Sequence, residues 1–199
     1  MRFKELVELI KTDLERFEQT YALRGQKFSK RRAFWESILF KAGFQGVLLY
    51  RFSHWLFKKK FNYLAWFVTR LNILLTGAEI EYNVEIGPGM FIAHPVGVVI
   101  GRGTIIGSGV TIFQGVTFGA SNWNPNLITK FPRIGNNCFF FANSTIVGDI
   151  SIGNECIVAA NTQVSTDMED GSFANGVPAK IYPNKGKEYI NSWSKEKFN

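Results

Sequence analysis

An apolar residue returns every six positions between Ile80 and Val164 of this 199-residue chain. A period of six matches neither a helix, whose faces repeat about every 3.6 residues, nor a strand, whose faces alternate. It is the hexapeptide signature of a parallel β-helix, in which each six-residue step makes one flat side. The positions in the series are Ile80, Ile86, Ile92, Ile100, Ile106, Ile112, Phe118, Ile134, Phe140, Ile146, Ile152, Val158 and Val164.

The count is broken in two places, and both are candidate functional sites. A two-residue slip, spelled His94-Pro95-Val96-Gly97, separates Ile92 from Ile100. A longer polar loop runs from Gly119 to Phe131. Insertions in a repeat protein map to loops, which often form the binding face. We therefore look for chemistry at these two interruptions.

The residues before the repeats follow a helical pattern and divide the chain into three parts. Apolar positions from Leu6 to Phe17 have helical spacing and predict a helix over Phe3 to Tyr21. A polar connector, Arg24 to Arg32, is expected next, followed by two or three apolar helices. We predict a helical domain over residues 1–76, a β-helix domain over 77–183 and a tail over 184–199 that is a loosely held helix or disordered.

Positive charge is concentrated ahead of the repeats. The whole chain has a net charge of +7, yet the residues up to 75 contain 15 Lys and Arg against 6 Asp and Glu. Aromatic and basic residues together leave two explanations for these helices: packing on themselves and on a partner subunit, or contact with an anionic membrane surface. No secretory signal or spanning helix is evident, so we expect a cytoplasmic protein, with peripheral contact at the inner face of the membrane left open. Without a recognised motif, nucleic acid is disfavoured.

Cysteine and metal chemistry are not indicated. Cys138 and Cys156 each lie four residues after a repeat position and are interpreted as reduced, small filling residues. The sequence has no zinc-type cluster, so we predict no metal.

His94 is the candidate general base, since it lies in the first interruption and imidazole titrates near physiological pH. Glu79 lies fifteen residues before His94, and Glu81 lies two residues after Glu79. A carboxylate from Glu79 at the His94 ring would select the tautomer and stabilise the imidazolium. From spacing alone a solvated or structural His94 stays open. His54, in the helical part, is interpreted as structural.

The chain carries an ordered set of short motifs: Lys41, Gly43-Phe44, Tyr50-Arg51, His54-Trp55-Leu56, Gly77 with Glu79-Ile80, His94, Gly97-Val98-Val99-Ile100-Gly101, Gln114-Gly115-Val116-Thr117 and Gly176-Val177-Pro178-Ala179-Lys180. This set resembles the hexapeptide acyltransferases, and within them the serine acetyltransferase-like group. The resemblance covers most of the chain and implies a left-handed parallel β-helix assembled as a homotrimer, with a dimer of trimers through the helical domain left open. The resemblance also implies acetyl-CoA as donor and a hydroxyl as acceptor, meeting in a cleft between subunits.

The same resemblance implies roles for individual residues. His94 matches the family's catalytic base, and Glu79 matches the position of its orienting acid. Backbone N–H groups at Gly119 and Ala120 would stabilise the developing oxyanion. Cofactor contacts are implied for Ala142 and Ala160 with pantetheine, and for Lys180 with a CoA phosphate.

Departures from the serine enzymes cluster on the acceptor side. Ala93 replaces an acid, Phe131 replaces a histidine and Glu81 stands where a histidine is usual. We therefore predict glycan O-acetylation, of the polysaccharide or capsule type, with the acceptor bound by Glu81, Trp123, Lys130 and Phe131. Two alternatives are serine O-acetylation for cysteine synthesis and a non-catalytic trimeric scaffold.

Overall fold

A computed structural model describes residues 1–22, 30–120 and 129–195 of the chain. Four helices come first, then fifteen short strands, then a terminal helix. The helices are α1 (Phe3–Ala22), α2 (Lys30–Phe40), α3 (Ala42–Lys58), α4 (Asn62–Thr76) and α5 (Lys185–Lys195). α4 ends where Gly77 adopts a left-handed conformation with φ of 76°, and its N–H donates to the Ile73 carbonyl.

The strands form three sheets in which every third strand is a neighbour, so the chain winds in three-sided coils. Sheet A contains β1 (Glu79–Ile80), β4 (Val99–Ile100), β7 (Thr117–Gly119), β10 (Thr145–Val147) and β13 (Gln163–Val164). Sheet B contains β2 (Glu85–Ile86), β5 (Ile105–Ile106), β8 (Arg133–Ile134) and β11 (Ser151–Ile152). Sheet C contains β3 (Phe91–Ile92), β6 (Thr111–Ile112), β9 (Phe139–Phe140), β12 (Ile157–Val158), β14 (Phe173–Asn175) and β15 (Lys180–Tyr182).

The sixfold series forms the core of the coils. Each member of the series lies in a strand, and each is at most 8% exposed. Stacked coils pair the members directly, as with Ile80 on Ile100 and Ile100 on Phe118. The predicted parallel β-sheets and N-terminal helices are therefore confirmed.

Both interruptions are absorbed at corners without disturbing strand register. Thr145 pairs with Gln163, eighteen residues on, which is three regular hexapeptides. Glu79 pairs with Val99 across the slip, and Thr117 pairs with Thr145 across the loop. The strands on either side of each interruption therefore keep the register of the stack.

The helices are attached to the first coil by a buried ion pair. Arg51 of α3 meets Asp13 of α1 with 2.8 Å between Nε and Oδ2, and both side chains are at most 2% exposed. The same guanidinium donates to the carbonyls of Ile86 and Gly87, and Asp13 accepts from the N–H of Met90. α1, α3 and the first coil therefore share one hydrogen-bonded network.

Two details at the ends of the helical part and of the coils differ from expectation. α2 begins at Lys30, so the predicted connector Arg24 to Arg32 is wrong for its last three residues, and its earlier part lies outside the described residues. At the other end, β15 returns antiparallel to β14. The tail forms α5, which packs on sheet C with Trp193 at 5.2 Å from Phe139, measured between ring centroids. Of the helices that the structure describes, none is long and apolar enough to cross a membrane.

Candidate active site

One edge of the coils carries most of the predicted catalytic and donor-side residues. We call it the C–A edge, the corner where the chain passes from sheet C to sheet A. Successive coils are hydrogen-bonded there: Gly115 N–H donates to Val96, Asn143 to Gln114 and Asn161 to Ala142. The residues three positions before each strand of sheet A are therefore in register, namely Val96, Gln114, Ala142 and Ala160.

His94 lies at the first step of this edge and is exposed. The chain around it is fixed: Pro95 is buried and its carbonyl accepts from Val98, while the N–H of Gly97 donates to Gly77. The two extra residues of the slip have to leave the stack between these anchors. The imidazole is consequently presented to solvent at the corner.

The two predicted carboxylates flank β1 on the outside of sheet A. Ile80 points into the core, so Glu79 and Glu81 on either side of it point outward, and both are half-buried. Within residues 1–22, 30–120 and 129–195, the structure records no hydrogen bond or ion pair from either carboxylate to His94. The orienting role of Glu79 stays a prediction.

Ala142, Ala160 and Lys180 continue the C–A edge away from His94. Coils are spaced by about 4.8 Å, so Ala142 lies two steps and Ala160 three steps along the edge, roughly 14 Å from the level of His94. Ala142 is half-buried and Ala160 is exposed. The exposed Lys180 follows Ala179, whose N–H donates to the Gln163 carbonyl beyond the last of these coils.

A stacked aromatic pair on this edge was missed from the sequence. The rings of Phe113 and Phe141 stack with centroids 5.0 Å apart, and both are half-buried. Each follows a repeat position by one residue, in the place where Ala93 and Ala159 stand on the outer coils. The sequence does contain a signal of this pair: aromatic residues replace alanine at this repeat position in the two middle coils.

The opposite end of sheet A carries the acceptor-side residues. We call it the A–B edge, the corner between sheets A and B. β7 ends there at Gly119, which Ala120 follows, and Lys130 and Phe131 lie on the far side of the loop in sequence. Trp123 lies outside the described residues.

Phe131 and Lys130 are both engaged within the protomer. The Phe131 ring packs over the backbone of Gly101 and Gly103: a Cβ at Gly101 would come within 2.8 Å of its Cε1. The Lys130 ammonium forms an ion pair with Asp149, at 2.5 Å, and this contact lowers the pKa of that carboxyl. Part of the ring, and the cation, are therefore used in holding the base of the loop.

The predicted site residues are thus divided between two edges of one protomer. His94, Ala142 and Ala160 lie on the C–A edge, whereas Ala120 and Phe131 lie on the A–B edge. The width of sheet A separates the two edges. One chain alone does not bring the two sets together.

The remaining ionisable candidates behave as structural groups. Cys138 and Cys156 are free and buried, and their mutual contact and burial raise the pKa of the Cys138 thiol. His54 Nδ1 lies 2.8 Å from the Tyr82 carbonyl, and burial lowers the pKa of its ring. His54 also borders an open pocket of about 360 Å³ beside sheet B, away from both edges. No group of three or more potential metal ligands occurs in the part of the chain that is described.

Comparison with known proteins places the chain among transferases. Residues 131–166 match the family model "Bacterial transferase hexapeptide (six repeats)". Serine acetyltransferase of Helicobacter pylori strain J99 is 38% identical over 146 residues, 73% of this chain and 84% of that protein. That of Bacillus subtilis is 32% identical over 157 residues, 79% and 71% of the two chains. The crystal structure of Neisseria gonorrhoeae serine acetyltransferase matches with a TM-score of 0.79 at 25% identity, over 90% of this chain and 67% of that one.

Proposed function

Because the chain belongs to the serine acetyltransferase family of hexapeptide-repeat transferases, we propose that it transfers the acetyl group of acetyl-CoA to the hydroxyl of serine. The protein is an acetyl-CoA-dependent acetyltransferase. The observation that carries the choice of acceptor is the 38% identity to a serine acetyltransferase across 73% of the chain.

The prediction of a glycan acceptor, of the polysaccharide or capsule type, is wrong. It was based on local departures at Ala93, Glu81 and Phe131, whereas the relatives matched over about three quarters of the chain are serine acetyltransferases. The Phe131 ring, which was expected to stack on a sugar, instead covers Gly101 and Gly103. The first of the two sequence-based alternatives, serine O-acetylation for cysteine synthesis, is the one supported.

The donor would lie along the C–A edge. A pantetheine chain is long and narrow, and the small side chains of Ala142 and Ala160 leave the backbone of the edge accessible to it. The exposed ammonium of Lys180 at the far end would meet a CoA phosphate as a point charge. This orientation would leave the thioester near His94, at the other end of the edge.

In the proposed reaction His94 acts as general base. Its neutral imidazole takes the proton of the serine hydroxyl as that oxygen attacks the thioester carbonyl carbon. The C–O bond forms, the carbonyl oxygen becomes an oxyanion, and backbone N–H groups of Gly119 and Ala120 stabilise it. When the C–S bond breaks, the CoA thiolate takes the proton from the imidazolium, and O-acetylserine and CoA leave.

A complete site would need a second copy of the chain. Serine is a zwitterion, so its site needs a carboxylate for the ammonium and a cation for the carboxylate. Glu81 would supply the first, and Lys130, whose ammonium already pairs with Asp149, is the candidate for the second. In a trimer of left-handed β-helices, the A–B edge of one protomer would face the C–A edge of the next. The division of the predicted residues between two edges supports this arrangement.

The test is acetyl transfer by the purified protein. With acetyl-CoA and L-serine we expect serine-dependent release of CoA thiol, with O-acetylserine identified by mass spectrometry. His94→Ala should lower kcat by about 10²–10⁴-fold, the usual contribution of a general base. His54→Gln is the matched control, because His54 is the other of the two histidines and has no predicted catalytic or binding role, and its turnover should stay close to that of the unchanged protein.

Two results would refute the proposal. Thiol release that does not depend on serine would show that serine is not the acceptor, and the same assay with other hydroxyl compounds would then identify the acceptor. An unchanged kcat in His94→Ala would remove the base.

A further inference from the structure

α4 buries its small and polar side and exposes its apolar side, the reverse of an ordinary surface helix. The residues it buries are small or polar: Ala65, Thr69, Asn72 and Thr76. Large apolar residues face solvent instead, with between 51% and 91% of each exposed. We call this set the outer face of α4: Tyr63, Leu64, Trp66, Phe67, Leu74 and Leu75.

Hydrogen bonds hold the helix in this orientation. The amide of Asn72 donates to the Gly46 carbonyl of α3 at 2.9 Å, and its oxygen accepts from the Thr76 hydroxyl at 2.8 Å. α3 and α4 are close at this point: a Cβ built at Gly46 would be in ordinary van der Waals contact with that hydroxyl oxygen, at 3.5 Å. Rotating α4 to bury its apolar side would break this buried network. The outer face is therefore a built feature of the fold and needs a cover of its own.

The charges on the segment that carries the outer face are all of one sign. No Asp or Glu occurs between Glu36 and Glu79, a stretch that includes both α3 and α4. Lys59 and Lys60 are exposed in the turn that leads into α4. Arg70 is exposed on the helix, with its guanidinium 5.4 Å from the centre of the Trp66 ring. An apolar face with aromatic rings, on a helix that carries a cation and no carboxylate, has the chemistry of a helix that lies in a membrane interface.

We propose that the outer face of α4 docks on an anionic lipid bilayer, with its apolar side chains at the boundary between headgroups and acyl chains. Arg70 and Lys59 would then meet lipid phosphates while their stems cover apolar surface. A second copy of the chain is the less suitable occupant. In a two-fold contact between two trimers the same patch would face itself, so these cations would oppose one another with no carboxylate on either α4 to pair them.

Co-sedimentation with lipid vesicles tests the proposal on the full-length protein. We expect binding to vesicles of phosphatidylcholine and phosphatidylglycerol, weaker binding to phosphatidylcholine alone, and a decrease as salt rises. The double variant Trp66→Ser/Phe67→Ser should bind about tenfold or more weakly, because it removes two buried aromatic anchors. Tyr189→Ser, an exposed aromatic on α5 at 45%, is the matched control and should bind as the unchanged protein does.

A charge variant tests the electrostatic part separately. Lys59→Gln/Arg70→Gln keeps every apolar residue of the outer face. We expect roughly a fivefold loss of affinity for anionic vesicles for each charge removed, and little change with neutral vesicles.

The proposal fails if the unchanged protein does not sediment with phosphatidylglycerol vesicles at low ionic strength. It fails equally if Trp66→Ser/Phe67→Ser leaves vesicle binding intact but lowers the molar mass in sedimentation equilibrium. That second result would assign the outer face to a second copy of the chain. Acetyl transfer to serine should be retained by both double variants in solution, so this test is independent of the proposed reaction.

Discussion

The coils and the helices of this protein differ in how much polar chemistry they bury. Inside the coils, the stacked residues of the sixfold series are aliphatic or aromatic, and the backbone bonds to the coil above and below. In the helical part, apolar residues such as Phe17 are buried, but the largest fully buried side chain is Arg51, and Asp13, Asn72 and Thr76 are buried with it. Apolar burial dominates in the coils, whereas the helical part combines it with hydrogen-bonded polar groups.

The difference follows from the open end of the coils. The first coil has no coil below it, so its outward carbonyls would be left without donors. Side chains of α3 supply those donors, as a capping repeat does in other solenoids. Tyr50 donates to Val84, His54 lies at hydrogen-bond distance from Tyr82, and Arg51 donates to Ile86 and Gly87. The helical part therefore buries polar side chains because they pair with the open carbonyls of the first coil.

Removing Arg51 should therefore have the largest effect on stability. Arg51→Ala leaves Asp13 buried without its partner and two carbonyls without donors, which we expect to cost about 3–5 kcal/mol in the free energy of unfolding. Urea denaturation followed by circular dichroism measures it. The double variant Asp13→Ala/Arg51→Ala should cost less than the sum of the two single variants, because no lone charge remains. A cost of Arg51→Ala below about 1 kcal/mol would contradict a polar core.

Asn72 tests the same contrast inside α4. Asn72→Ala removes the donor to Gly46 and the acceptor for Thr76, so two buried side-chain hydrogen bonds are lost, and we expect a loss of about 2 kcal/mol. Asn62→Ala, at the exposed start of the same helix, is the matched control and should change stability by less than about 0.5 kcal/mol. Equal costs for the two variants would mean that burial of this polar pair contributes nothing.

The coils were predictable from the sequence because their rule is periodic and apolar. Every residue of the sixfold series occupies a strand, and both interruptions fall at corners. The slip also drew attention to His94 before any geometry was known. Such patterns survive in sequence because each coil repeats the same environment.

The polar features were not predictable in the same way. The partner of Arg51 lies 38 residues away on another helix, and no spacing rule connects them. The acceptor could not be deduced from a few residues either. The departures at Ala93, Glu81 and Phe131 pointed to a glycan, whereas the relatives matched over about three quarters of the chain are serine acetyltransferases. The stack of Phe113 on Phe141 depends on coil register across the loop, which the sequence does not give.

His54 adds a pH dependence to the capped edge. Burial lowers the pKa of its ring, so the folded state disfavours the imidazolium while the unfolded chain binds a proton near the ordinary value, about 6.5. The stability from the neutral ring is complete above that value and is lost as pH falls through it towards the folded pKa. His54→Gln cannot titrate at this position. The unchanged protein should therefore lose its advantage in unfolding free energy over this variant as the pH falls from about 8 to about 5. Parallel curves would show that His54 does not contribute.

The smallest effect should come from the outer face of α4. Leu74 is 80% exposed, so Leu74→Ser removes little burial and should change the free energy of unfolding by less than about 0.5 kcal/mol in the absence of lipid. Ile73→Ser, one position earlier and half-buried, is the matched comparison and should cost more. Anionic vesicles should raise the melting temperature of the unchanged protein more than that of Leu74→Ser, since a ligand of the folded state stabilises in proportion to its binding. A large loss of unfolding free energy without lipid would show that Leu74 is already covered in the assembled protein. The apolar side of α4 would then be exposed only in the isolated protomer, and its contrast with the buried polar side would not hold for the assembly.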